Sequence, residues 1–240
     1  MFRCARTLAA LSIGLLVSAP ANAQTPTAGE QVTAIDILLE PDATMVTHAK
    51  AANERLRASF PKGFALGETH QPHVSTLQRY VRTADLDKVY EAVGKALAAE
   101  KPATWKLKAY KYYYIPWKDI GLAGIVIEPT DDLIRFQQKL IETVGPFTVK
   151  TGTAAAFVTT KEDPEINQPT LEYVAAFVPE ATGAKFNPHV TIGLASQDYL
   201  KKMLEEPFQA FTFSPTGVAV YHLGNFGTAR TLLRSWDLKS

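Results

Sequence analysis

Two stretches with the same pattern constrain this chain more than anything else in it: Pro72-His73-Val74-Ser75-Thr76-Leu77 and Pro188-His189-Val190-Thr191-Ile192-Gly193-Leu194. Both read as β-strands opened by proline, which is tolerated at a strand's first position because it has no ladder hydrogen bond to give. Side chains alternate along a strand. His73 and Ser75 therefore share a face, with Leu77 and Arg79, and His189 and Thr191 share a face with Gly193 and Ala195. Parity selects Ser75, not Thr76, as the partner of His73. In the second stretch Val190, Ile192 and Leu194 form an apolar face for helices to cover, and Gly193 and Ala195 are expected to leave room in a groove on the other.

The chain starts with Arg3 and Arg6, an apolar run from Leu8 to Val17, and Ala21-Asn22-Ala23. This is the pattern of a secretory signal peptide over residues 1–23, cut after Ala23, and the run is too short to span a bilayer. Residues 24–31 are expected to be a flexible tail and 32–240 a single domain in a periplasmic or secreted protein with no membrane attachment after cleavage. Cys4, the one cysteine, leaves with the signal, so the mature chain has no disulfide and depends on its core. Loss of Arg3 and Arg6 takes the formal charge from +1 to −1. Without a run of Lys or Arg, duplex nucleic acid is not an expected partner.

Periodicity predicts a buried strand over Val32 to Leu39 with Asp36 its one charge, then a helix from Ala43 to Phe60 capped by Asp42. The first motif strand follows, to Arg82, then a helix carrying Leu86, Val89, Val93 and Leu97. Strands are predicted over Thr104–Tyr114 and Ala123–Glu128, with a turn around Trp117 to Gly121. A helix capped at Thr130 or Asp131 has Leu133, Phe136, Gln137, Leu140 and Val144 on one side. Strand-like material is expected between Phe147 and Thr160, a short helix from Thr170 to Phe177, and the second motif strand from His189 to Leu194. Ser196 then caps a helix, and Phe208–Phe213, Gly217–Leu223 and Ala229–Leu238 read as closing strands. The mixture indicates an α+β fold.

Two histidines and two hydroxyls facing one another suit phosphodiester transfer without a metal. One imidazole takes a proton from the attacking oxygen, the other protonates the departing one, and the hydroxyls donate to the non-bridging oxygens. The doubled pattern His73-Val74-Ser75-Thr76 and His189-Val190-Thr191-Ile192 resembles the two-histidine (2H) phosphoesterase superfamily, which includes bacterial 2′-5′ RNA ligases and cyclic nucleotide phosphodiesterases. The opening strand ending Leu38-Leu39-Glu40-Pro41 and the closing Val220-Tyr221-His222-Leu223-Gly224 are arranged as in that family. The resemblance implies a bilobed fold of two antiparallel sheets with pseudo-twofold symmetry around a central groove and helices outside. It implies catalytic roles for His73 and His189 and phosphate binding by Ser75 and Thr191. The implied substrate is a nucleotide or short RNA with a 2′,3′-cyclic phosphate, hydrolysed by water or ligated to a 5′-hydroxyl, with no cofactor and no metal, by a monomer. Dilute ribose ends in a periplasm favour hydrolysis.

His73 and His189 stand 116 residues apart, a long interval for the family. The excess falls at Tyr110 to Trp117 and Thr151 to Gln168, which are expected to cover or reshape the groove. Tyr112, Tyr114 and His222 are possible substrate contacts, and Tyr110, Tyr112, Tyr113 and Tyr114 together offer a stacking platform. His70 reads as a loop histidine and His48 as structural. The alternative from another class is a non-catalytic periplasmic binding module for a phosphorylated small molecule.

Overall fold

The computed structural model describes residues 29–161 and 163–238. The signal-peptide reading, and most of the tail, lie outside the described residues. Strand β1 (Val32–Pro41) leads to helix α1 (Ala43–Ser59), whose first turn is closed by the Asp42 carboxylate accepting from the Thr44 and Met45 amides. β2 (Val74–Arg82), α2 (Leu86–Ala99), β3 (Leu107–Trp117), β4 (Ile120–Ile127) and α3 (Asp131–Val144) follow. After them come β5 (Thr148–Val149), α4 (Gln168–Glu180), β6 (His189–Ser196), α5 (Gln197–Glu205), β7 (Phe211–Phe213), β8 (Pro215–Leu223) and β9 (Ala229–Asp237). Ser196 caps α5 through its hydroxyl, as the sequence predicts, and of the two candidates at the start of α3 it is Thr130 that caps, not Asp131.

The strands form two antiparallel sheets, β5-β2-β1-β8-β9 and β6-β4-β3-β7, so each motif strand belongs to a different sheet. This is the α+β, two-sheet architecture expected. Helix α1 packs against β6, α5 against β3, β4 and β6, and α3 against β2. One apolar core runs between them, including Ile35, Ile37, Leu56, Leu77, Val93, Phe136, Ile192 and Val220.

A β-bulge follows each motif. In β2, Ile37 pairs with Leu77 and Leu38 with Ser75, leaving Thr76 as the extra residue; in β6, Ala123 pairs with Gly193 and Gly124 with Thr191, leaving Ile192. Each extra residue is pinned by a buried amide side chain on a helix. Gln137 Nε2 of α3 donates to Thr76 O at 3.0 Å, and Asn53 Nδ2 of α1 donates to Ile192 O at 2.8 Å.

The bulges invert the expected parity beyond each motif. Gly193, at φ +133°, turns toward α1, where a Cβ would meet Asn53 Nδ2 at 2.8 Å, and Ala195 is buried in the core. The groove side is taken instead by Leu194 in β6 and Gln78 in β2. Leu77 joins the core, and Arg79 Nη2 donates to Thr148 Oγ1 at 3.0 Å.

Two segments differ from their predicted extent. The β3–β4 hairpin continues to a turn at Lys118 and Asp119, with Lys118 at φ +51°. The Gln197 amide and side chain at the start of α5 hold that turn, donating to Asp119 O at 3.1 Å and Lys118 O at 2.6 Å. Between Phe147 and Thr160 only Thr148–Val149 pairs as strand, followed by a 3-10 turn at Ala154–Ala156, because the weak strand formers Gly152 and Ala154–Ala156 leave the chain to be placed by packing.

Asn53 also donates to Phe64 O at 3.0 Å and accepts from Leu66 N at 3.1 Å. Asn53→Ala would take this partner from one buried and two partly buried backbone groups and is expected to cost about 1–3 kcal/mol, measured by urea unfolding. A loss below about 0.5 kcal/mol, the size of a neutral surface change, would show that the bulge does not need the pin.

Candidate active site

His73 and His189 are held by the same local device. Each ring sits at the start of its strand, and each Nδ1 lies against the carbonyl two residues upstream: Gln71 O at 2.7 Å and Asn187 O at 2.8 Å. A carbonyl only accepts, so Nδ1 carries the proton in both rings and Nε2 is left for chemistry. Both histidines line one cavity of about 250 Å³, with Ser75 and Thr191. All four side chains selected by strand parity are brought together there.

The two halves differ at their floors. Asp36, at 0% exposure in β1, accepts from Ser75 Oγ at 2.5 Å and from Gln78 Nε2 at 3.1 Å, and the same oxygen lies 3.5 Å from His73 Nε2. The Ser75 proton is thus turned toward Asp36. Asp36 Oδ1 and Gln78 Oε1 are buried without a hydrogen-bond donor. Among the described residues no carboxylate forms an ion pair with His189; its ring meets the Tyr113 ring edge-on, with centroids 4.7 Å apart. Gly124 provides the space in which the Tyr113 ring lies.

This asymmetry sets the protonation of the pair. Burial opposes charge on His73, but the hydrogen bond and charge of Asp36, the Gln71 carbonyl and the charge of Glu40 outweigh it and raise its pKa above 6.5. Burial lowers the pKa of His189, and the nearby charge of His73 lowers it further; Asn187 and Asp36 offset these only in part. Around 6.5, His73 favours the imidazolium and His189 the neutral ring with an open Nε2 lone pair.

Only part of the cavity wall comes from the two segments in which the motif spacing places its excess, namely Ile115, Pro116, Trp117 and Asn167, and α4 beyond them adds to it. The β3–β4 hairpin supplies Ile115, Pro116 and Trp117, and the start of α4 supplies Asn167, Pro169, Thr170 and Tyr173. Across the mouth, Trp117 meets Phe226 of the β8–β9 turn edge-on at 5.1 Å. Phe226 holds φ +56°, unusual for an aromatic residue, and its amide donates to Thr170 Oγ1 at 3.0 Å.

Three expected contacts do not line this cavity. Tyr112 and Tyr114 face α5 and its surroundings: Tyr112 packs edge-on to Phe208, and Tyr114 lies over Gly121 beside Leu200. The odd positions of β3, Tyr113, Ile115 and Trp117, take the groove side. His222 Nε2 meets Ala156 O at 2.8 Å, outside the cavity. His70 lines the wall, stacked on Phe64 at 4.4 Å; burial and the Arg230 charge lower its pKa to about 4. Asp36, Gln78, Tyr173 and Phe226 had no role assigned from the sequence, and Tyr113 only that of a member of the stacking platform. Only Asp36 carried a signal, as the single charge in a strand that reads as buried. Among the described residues no group of three or more His, Cys, Asp or Glu is arranged to hold a metal ion.

No protein-family model matches the chain, and no curated protein matches it. Among solved structures it is similar to the TT0787 protein of Thermus thermophilus, at 16% identity and a TM-score of 0.51, over 87% of this chain and 99% of that one. It is also similar to E. coli LigT complexed with 3′-AMP, at 14% identity and a TM-score of 0.42, over 88% of this chain and 99% of that one. The likeness to the Thermus protein is one of fold, over nearly the whole of both chains.

Ring-resolved NMR titration tests the electrostatic asymmetry. His73 is expected to titrate above 6.5 and His189 below it, and Asp36→Asn to bring His73 down while His189 moves less. Coincident titrations of the two rings in the unmodified protein would contradict this.

Proposed function

We propose that the protein is an exported phosphoesterase that works without a metal and hydrolyses a 2′,3′-cyclic phosphate on a nucleotide or an RNA end. The observation that carries the reading is the paired device: two histidines, each with Nδ1 pinned to a backbone carbonyl, open into one cavity with a hydroxyl on each side. The motif resemblance and the shared fold point the same way.

In this reading His189, biased toward the neutral ring, takes a proton from water through Nε2 as the water oxygen attacks phosphorus. A pentacoordinate phosphorus forms, and the Thr191 hydroxyl donates to a non-bridging oxygen as charge builds there. The bond from phosphorus to one ribose oxygen then breaks. His73, biased toward the imidazolium, gives that oxygen its proton, leaving a phosphomonoester and a free hydroxyl. Ser75 acts beneath the phosphate rather than on it, tying Asp36 to the strand that carries His73. With an RNA 5′-hydroxyl in place of water, the same groups would join two ends.

Purified mature protein incubated with 2′,3′-cyclic nucleotides and a chelator tests the proposal. Turnover is expected to persist, and His73→Ala and His189→Ala each to lower it roughly 100- to 10,000-fold. Absence of turnover on any cyclic or linear phosphodiester, or turnover unchanged in both variants, would sink it. Loss of turnover with the chelator would move the reading to a metal-dependent hydrolase.

A further inference from the structure

Among the described residues, none of the side chains lining the cavity is Lys, Arg, Asp or Glu. Within the lining an anion meets one positive partner, the His73 imidazolium, together with hydroxyls and amides; outside the lining, Lys118 Nζ lies over the Trp117 ring at 5.2 Å. Arg230, close enough to bias His70, is paired through Nη2 with Asp163 at 2.9 Å, while its Nε is buried without an acceptor. Beneath the wall, Asp36 Oδ1 and Gln78 Oε1 are buried acceptors without donors, and they repel further negative charge rather than receive it. A polyanion needs cations in number to release its counterions, and this groove does not provide them.

What the groove offers instead is apolar and aromatic surface left open to water. Ile115, Trp117 and Tyr173, all lining the cavity, are 45%, 36% and 43% exposed, and they make up most of the large exposed hydrophobic side chains among the described residues. Trp117 from one sheet and Phe226 from the other meet across the mouth, and Phe226 is kept in a left-handed conformation by the Thr170 contact. A strained aromatic residue at a cavity mouth, buttressed by a hydrogen bond, points to a positioned ring rather than a chance contact.

We propose that the groove selects phosphodiesters whose scissile phosphate is their only charge and whose remainder is an uncharged aromatic group held by Trp117, Phe226 and Tyr173. This rests on the phosphoesterase reading and narrows it: a nucleoside cyclic phosphate fits, and a phosphate-rich oligonucleotide end does not. Aromatic stacking supplies affinity without demanding a particular base.

Three probes test it: adenosine 2′,3′-cyclic phosphate, its 5′-phosphorylated counterpart, and glycerol 1,2-cyclic phosphate. Rapid-mixing tryptophan fluorescence on the mature protein reads affinity before turnover, and product formation is followed in parallel. The adenosine probe is expected to bind roughly 10-fold or more tightly than either of the others, with little change between low and high salt. Trp117→Ala is expected to weaken the adenosine probe roughly 5-fold more than the glycerol probe; Phe226→Leu, which keeps an apolar side chain there, should shift the same ratio in the same direction. Equal or tighter binding of the 5′-phosphorylated probe, or a steep salt dependence, would overturn the inference. If that occurs with turnover intact, the phosphoesterase reading survives alone. If the ranking holds and no probe is turned over, the inference stands and the hydrolytic reading falls. Binding of none of the three overturns the inference.

Discussion

Placing a carboxylate in a strand core is costly unless hydrogen bonds and positive charge meet it. Asp36 is met by the Ser75 hydroxyl and the Gln78 amide, and it lies 3.5 Å from His73 Nε2. The arrangement works both ways: the carboxylate needs donors, and His73 gains a partner for its proton. His189, in the matching position of the other lobe, has the edge of an aromatic ring as its neighbour and, among the described residues, no carboxylate paired with it. Two groups alike in sequence context are driven apart in protonation by what lies beneath them.

The backbone around them keeps the symmetry that the electrostatics break. Each motif strand bulges immediately after its hydroxyl residue, at Thr76 and Ile192, and each bulged carbonyl takes a hydrogen bond from a buried amide on a helix. A bulge sharpens local twist and re-aims the strand. Here it lets His and Ser or Thr face the groove and returns the following residues, Leu77 and Gly193, to the helix side. The less symmetric parts, the long β3–β4 hairpin and the start of α4, wall the cavity and give it its apolar character.

The four side chains that meet in the groove were legible because the rule that selects them is local: two residues apart on a strand, same face. The caps at Asp42 and Ser196 were legible for the same reason, and that of α3 was narrowed to Thr130 or Asp131. The bulges were not, since an extra residue is defined only by the partner strand's register. Expectations for Gly193, Ala195 and Arg79 failed at that point. Tyr112 and Tyr114 were placed on the wrong side because the run Tyr110 to Tyr114 names no face; packing of α5 against β3 decides that Tyr113 turns inward. Asp36 stood out as a charge in an apolar strand, but its partners Ser75 and Gln78 are 39 and 42 residues away and were invisible locally. Helix α4 begins at Gln168 rather than Thr170, because Gln168-Pro169 reads as loop until the Asn167 side chain is seen capping the helix by accepting from the Thr170 amide.

The central claim is that one groove holds a protonated His73 opposite a neutral His189. The pH dependence of kcat/KM for a cyclic phosphodiester tests it most directly, because that profile reports the free protein's acid and base. The account predicts a bell, rising with pH as His189 loses its proton below 6.5 and falling as His73 loses its proton above 6.5. A profile with a single limb, or with both limbs on the same side of 6.5, would contradict it.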